Sequence, residues 1–301
     1  MVFYIGLDEP SYTPGGLGHC MFDIISVFIL AKHFDMVPVV KPLACTPLTS
    51  HGIDSGLVNV DREAIVPRLH LDKFPGVVSQ TPTGIPVRRL LLPYRRYSYV
   101  PLATFARYLK RDGPPAIYTL GRNHRVAIHD AMKVLSVETL VMRPLRNLAD
   151  LPKPFDKGKL SALKLVLHLR RGDVSVQPLS IDPYLERLPL PFTLQVFSAG
   201  TDEQMSAICR HYSNKPYAQV HINAPLLTLF EAATNADILF VWQGGLHRML
   251  GWYVPSTTVV VYQPAVMPRY RFGHEAYSEW RHWLSYDRFT WKNCQKILSL
   301  K

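Results

Sequence analysis

The second half of the chain alternates short apolar runs with amphipathic stretches, and this alternation restricts the fold more than any other feature. We predict strands over 164–169, 192–197, 217–222, 237–241 and 257–262, with helices between them over 181–188, 202–211, 225–235 and 246–253. Strands joined through helices run parallel. The chain opens with a similar pattern: a strand at 2–7, a helix at 20–34 and a strand at 37–40. The sequence therefore predicts the α/β class with parallel sheets.

Length and composition allow two domains. The chain has 301 residues, of which 48% are hydrophobic, and a segment at 143–159 with three prolines resembles an interdomain linker. We expect one domain over 1–150 and a second over 151–270. We predict one or two helices over 273–300, with Trp280 and Trp283 buried, in a terminal segment (271–301) that could pack back on the first domain.

The apolar run at 163–169 stops abruptly at Arg170, Arg171, Gly172 and Asp173. In open α/β sheets, ligands bind beyond the carboxyl ends of the strands, so this position favours ligand contact. The planar guanidinium of Arg170 suits two phosphate oxygens at once, and Gly172 permits a tight turn. A surface turn with solvated arginines would contain the same residues. An exposed Arg-Gly-Asp adhesion tip is excluded, because the triplet directly follows a predicted core strand.

A glycine-rich turn follows the first predicted strand. Gly15, Gly16 and Gly18 precede the predicted helix, whose first N–H groups could bind an anion. The pattern is not GxGxxG, so it does not identify a cofactor, and packing alone could require these glycines.

The segment from His168 to Asp173 resembles the HxRRGD motif of the fucosyltransferase superfamily, which includes α1,2- and α1,6-fucosyltransferases and protein O-fucosyltransferases. The segment from Gly15 to His19 resembles the GGxGN/GGxGH opening of the same superfamily. The resemblance implies a GT-B-like fold, in which two Rossmann-type domains with parallel sheets face across a cleft. The first domain would lie on the acceptor side, and the second would bind the GDP-sugar.

The resemblance also implies an inverting transfer of L-fucose from GDP-fucose to a glycan hydroxyl, without a metal or any cofactor beyond the donor. Arg170 would hold the β-phosphate as the catalytic cation, and His168 would line the donor pocket. Gly244 and Gly245 replace the hydroxyl residues of the family pattern, so backbone N–H groups, Gln243 or Arg248 would take over the phosphate contacts. The full set of expected substrate-binding residues is Gly16, Gly18, His168, Arg171, Asp173, Ser198, Gln243, Gly244, Gly245 and Arg248.

No general base follows from the resemblance, because Gly16 or Leu17 stands where some relatives carry a glutamate. His19 and Asp23 are catalytic candidates one helical turn apart, and His124 is a third. His19 and Asp23 could equally be a helix-start pair without chemistry. The segment at 123–125 follows a predicted strand at 116–120, a position that could face a cleft or could serve the fold alone.

Composition limits the partners. The net charge of +11 is shared between both halves, which argues against a nucleic-acid face and fits an anionic small ligand or no ligand preference at all. The four cysteines lack CxxC spacing, so we expect no zinc; they could pair, but reduced core thiols are the commoner case in a chain of this size. No run of 18 apolar residues and no signal peptide is evident, so we expect a cytoplasmic protein or a luminal catalytic domain without its membrane anchor.

Two alternatives remain open. The chain could transfer a different nucleotide-activated sugar, because a few pocket contacts decide donor specificity. It could also be a non-catalytic GDP-sugar- or glycan-binding protein, as the missing loop glutamate and the altered hydroxyl positions suggest.

Overall fold

The computed structural model describes residues 2–7, 17–40, 78–93, 98–109, 113–121, 124–126, 162–169, 180–198, 202–241, 246, 250, 254, 258–262 and 283–299, with backbone alone at 17–22, 98–99, 124, 202–205, 283 and 299. The chain divides into two compact units. One comprises Met1–His51 and Arg62–Leu145, and the other comprises Gly52–Asp61 and Arg146–Lys301.

The first unit contains a four-stranded parallel sheet. Its elements are β1 (Tyr4–Leu7), α1 (Leu17–His33), β2 (Val37–Val39), β3 (Val87–Leu90), β4 (Ser98–Val100), α2 (Leu102–Tyr108), β5 (Ile117–Leu120) and β6 (His124–Val126). The sheet order is β2-β1-β5-β3, and β4 pairs separately with β6. All of these pairings are parallel. Every residue of the central strand β5 is buried, whereas the edge strand β3 buries only Leu90.

The second unit contains a six-stranded parallel sheet. Its elements are β7 (Leu163–Leu169), α3 (Asp182–Leu185), β8 (Phe192–Ser198), α4 (Asp202–Tyr212), β9 (Ala218–Ile222), α5 (Leu226–Thr234), β10 (Ile238–Val241), β11 (Val259–Tyr262), β12 (Trp283–Ser285) and α6 (Trp291–Ser299), with a 3-10 turn at Tyr286–Arg288. The order is β12-β11-β10-β7-β8-β9. All five pairings are parallel, so the α/β class with two parallel sheets is confirmed.

The main core of the second unit covers one face of its sheet. Alternate residues of β7 point to the same side, as the period of two in a strand requires. Helices α3, α4 and α6 pack on that side through their apolar residues. The buried set includes Leu163, Leu165, Leu167, Leu169, Ile181, Leu185, Ile208, Tyr212, Cys294 and Ile297.

The C-terminal segment differs from its prediction in secondary structure. One or two helices were expected over 273–300, but the described part of this range contains the strand β12 and a 3-10 turn, and only Trp291–Ser299 of it is α-helical. A strand of three residues is too short to show an alternating pattern. The described part of this segment packs into the core of the second unit, where Cys294 and Ile297 are buried. Burial raises the pKa of the Cys294 thiol to about 12.

Other predicted bounds move by a few residues. Helix α1 begins at Leu17, three residues earlier than expected, and β6 is a strand that the sequence did not predict. The predicted helix over 128–135 lies outside the described residues. No described helix combines the length and the apolar character needed to span a membrane.

Candidate functional site

The six-stranded sheet reverses its strand order between β7 and β10. The chain passes from β7 to β8 and β9 on one side, then returns through α5 to β10 on the other side of β7. This is the strand order of Rossmann sheets, whose ligands bind outside the carboxyl ends at the point of reversal. Arg170 directly follows β7, and Trp242 directly follows β10. Both segments that the sequence singled out therefore leave the sheet at its preferred ligand-binding edge.

Most of the expected phosphate-binding residues lie outside the described residues. They are Gly16, Arg170, Arg171, Asp173, Gln243, Gly244, Gly245 and Arg248. The described part of the site is the edge of the sheet from which these segments depart.

A row of rings crosses this edge one residue before the strands end. His168 of β7 lies beside Phe197 of β8, and Phe197 lies beside His221 of β9. The rings of Phe197 and His221 stack with centroids 4.5 Å apart and planes 11° apart. His168 and Phe197 are both buried. His168 is thus built into one face of the sheet at the edge where the donor was expected.

His221 is a feature of the site that the sequence prediction missed. Its Nε2 atom is buried and has no hydrogen-bond partner among the described residues. Burial lowers the pKa of the imidazole, because the protonated ring would be poorly solvated there. The position of His221 next to the end of a predicted strand could have marked it as a site residue. Its stacking on Phe197 could not be predicted, because it depends on the register between β8 and β9.

Ser198 ties neighbouring strands together at the same edge. Its buried hydroxyl donates to the carbonyl oxygen of Leu169 at 2.9 Å. Its own carbonyl accepts from the backbone N–H of Asn223 at 2.9 Å. The side chain expected to contact substrate is therefore hydrogen-bonded to the backbone of the adjacent strand.

The glycine turn of the first unit runs directly into a helix. Gly18 and His19 belong to the first turn of α1, not to a loop before it. The first four N–H groups of a helix lack partners within the helix, so Gly18 retains the anion-binding potential that the sequence suggested. The side chain of His19 is not among those described.

Asp23, a candidate base, forms a buried ion pair. The Nε–H group of Arg125 donates to Asp23 Oδ1 at 2.9 Å, and both side chains are buried. Three residues further along α1, Ser26 Oγ accepts from the backbone N–H of Val126 at 3.1 Å. These contacts fasten α1 to β6. The sequence left open a cleft-facing role for the segment at 123–125, and the structure buries the Arg125 side chain against α1.

No protein-family model and no curated protein matches the chain. Among solved structures, the chain resembles the fucosyltransferase NodZ from Bradyrhizobium, with a TM-score of 0.42 and 11% identity over 85% of this chain and 94% of that one. A selenomethionine form of NodZ gives a TM-score of 0.41 and 11% identity, over 85% and 93% of the two chains. Similarity at this level assigns neither a family nor an activity.

Proposed function

We propose that the chain is an inverting, metal-independent glycosyltransferase that moves L-fucose from GDP-fucose to a glycan hydroxyl. One observation carries the proposal. The sequence from His168 to Asp173, which resembles the HxRRGD motif, begins at the carboxyl end of β7, and β7 borders the reversal of strand order in a Rossmann-type sheet. A solvated surface turn would not need to occupy this particular position.

Arg170 has the central chemical role in this proposal. As the bond between fucose and the diphosphate breaks, negative charge builds up on the β-phosphate. A guanidinium can donate two parallel hydrogen bonds to that phosphate and stabilise the charge without a metal ion. Arg171, Asp173 and the backbone N–H groups of Gly244 and Gly245 would complete the donor contacts.

The acceptor hydroxyl requires a base. Because Asp23 is held by Arg125 in a buried pair, we regard it as a structural carboxylate and keep His19 as the first candidate. Kinetics of the His19→Ala variant would test this assignment.

The decisive variant is Arg170→Ala. We expect GDP-fucose transfer, followed as donor hydrolysis until an acceptor is known, to fall roughly a hundred- to a thousandfold, with unchanged thermal unfolding. Arg210→Ala is the matched control, because it removes an equal charge from the exposed side of α4 in the same unit. Near-normal turnover in Arg170→Ala would remove the assignment.

Titration of the wild-type protein separates the alternatives. Binding of GDP but not of GDP-fucose would favour another donor sugar. Binding of GDP-fucose without turnover in the presence of a panel of glycans would favour a non-catalytic binding protein.

A further inference from the structure

We propose that Ser198 is a positioning residue: it holds the last peptide group of β7, from which the chain continues into Arg170. This inference rests on the proposed function and replaces the expected direct contact between Ser198 and the donor. It begins with the register of the sheet, because Ser198 ends β8 directly beside Leu169, the last residue of β7.

The hydrogen bond from Ser198 acts on the peptide group that precedes Arg170. Ser198 Oγ donates to the carbonyl oxygen of Leu169 at 2.9 Å. That oxygen lies in the same rigid plane as the nitrogen and Cα of Arg170, because the peptide bond between Leu169 and Arg170 is planar. Holding the oxygen therefore fixes the orientation of the peptide plane that joins the end of β7 to Arg170.

Ser198 is itself well anchored. Its carbonyl accepts from the N–H of Asn223, the residue after β9, whose φ of 51° lies in the left-handed region. Ser198 is only 5% exposed, so water competes little for its hydroxyl. Ser198 thus connects the ends of three strands: its side chain is hydrogen-bonded to the last residue of β7, and its backbone to the residue that follows β9.

The test compares Ser198→Ala with Thr258→Val. Thr258 Oγ1 donates to the carbonyl oxygen of Ala236 at 2.8 Å, and Thr258 is also buried. This bond links the chain just before β10 and β11, at the opposite end of the same sheet. Each variant loses one buried hydroxyl-to-carbonyl bond, so both should lower the unfolding temperature to a similar extent.

GDP binding should distinguish the two variants. We expect Ser198→Ala to weaken GDP binding, measured by calorimetry, about five- to tenfold, while Thr258→Val binds as the wild type does. Equal affinities in the two variants would show that the Ser198 bond has no positioning role and would overturn the inference.

A double-mutant cycle tests whether the effect passes through Arg170. In an Arg170→Ala background, Ser198→Ala should cause no further loss of GDP affinity, because the group that it positions is gone. A further loss equal to that in the wild-type background would show direct contact with the nucleotide and would overturn the positioning role. Wild-type affinity in Arg170→Ala itself would overturn the proposed function together with this inference.

Discussion

Replacing Arg125 with methionine should strongly destabilise the first unit. The structure shows the Asp23 residue 3% exposed and the Arg125 residue 8% exposed, with 2.9 Å between Oδ1 and Nε. Arg125→Met removes this cation from a buried carboxylate. Such a loss costs about 3–5 kcal/mol, a large fraction of the roughly 5–15 kcal/mol that stabilises a typical domain.

The double variant Asp23→Leu, Arg125→Met should recover much of this loss. It removes both charges and fills the space with apolar atoms, a change that is often close to neutral in stability. We expect its free energy of unfolding to lie within about 2 kcal/mol of wild type, well above that of either single variant. Arg107→Met is the control, because it removes the same charge from an exposed position on α2 in the same unit.

Two optical signals separate the two units in this experiment. All five tryptophans lie after residue 240, within the sequence of the second unit, so tryptophan fluorescence follows that unit alone. Far-ultraviolet circular dichroism follows both units. In urea titrations, Arg125→Met should shift the dichroism transition to lower urea by more than it shifts the fluorescence transition.

Two outcomes would refute this account of the pair. If Arg125→Met unfolds at the urea concentration of the Arg107→Met control, the ion pair does not fasten α1 to β6. If Asp23→Leu loses activity while retaining wild-type stability, the carboxylate is catalytic and our structural assignment is wrong.

Two further changes test the geometry of the sheets. A Cβ atom at Gly6 of β1 would lie 2.9 Å from the carbonyl oxygen of Val39 in β2. Gly6→Ala should therefore lower the free energy of unfolding, measured in urea titrations, by about 1–3 kcal/mol. A variant as stable as the wild type would contradict the close approach of the two strands. His221→Phe keeps a ring on Phe197 and removes the titrating nitrogens. The stability of the wild type should fall as the pH drops below the ordinary histidine pKa of 6.5, because the unfolded chain accepts a proton that the partly buried His221 ring resists. The fall should level off below the lowered pKa of the folded state. In His221→Phe the free energy of unfolding should no longer show this dependence on pH. A dependence equal to that of the wild type between about pH 5 and pH 8 would contradict the assignment to His221.

The sequence predicts the described strands of the second unit well, with the exception of β12. Strands such as β7 and β10 are continuous apolar runs between polar segments, and their bounds differ from prediction by one residue. The position of the motif after β7 was predicted for the same reason. β12 was missed because its three residues carry no periodic signal.

Contacts between distant residues could not be predicted. Asp23 and Arg125 are 102 positions apart, and nothing local in either segment indicates that they meet. The sequence instead suggested that Asp23 orients His19 on the same helix. The role of Ser198 was hidden in a similar way, because its hydrogen bond depends on which residue of β7 lies beside it.

The main core of the second unit has a consequence for the folding of that unit. It joins Leu163 of the first strand to Ile297 of the last helix, and β7 gains its β10 neighbour only after two other strands and three helices have intervened. Most of its stabilising contacts are thus distant along the chain, and high contact order slows folding because long loops must close first. The carboxyl edge of β7, which precedes Arg170, would therefore form late in folding. Until then the incomplete sheet exposes apolar surface that is prone to aggregate, so folding in a cell would depend on chaperones.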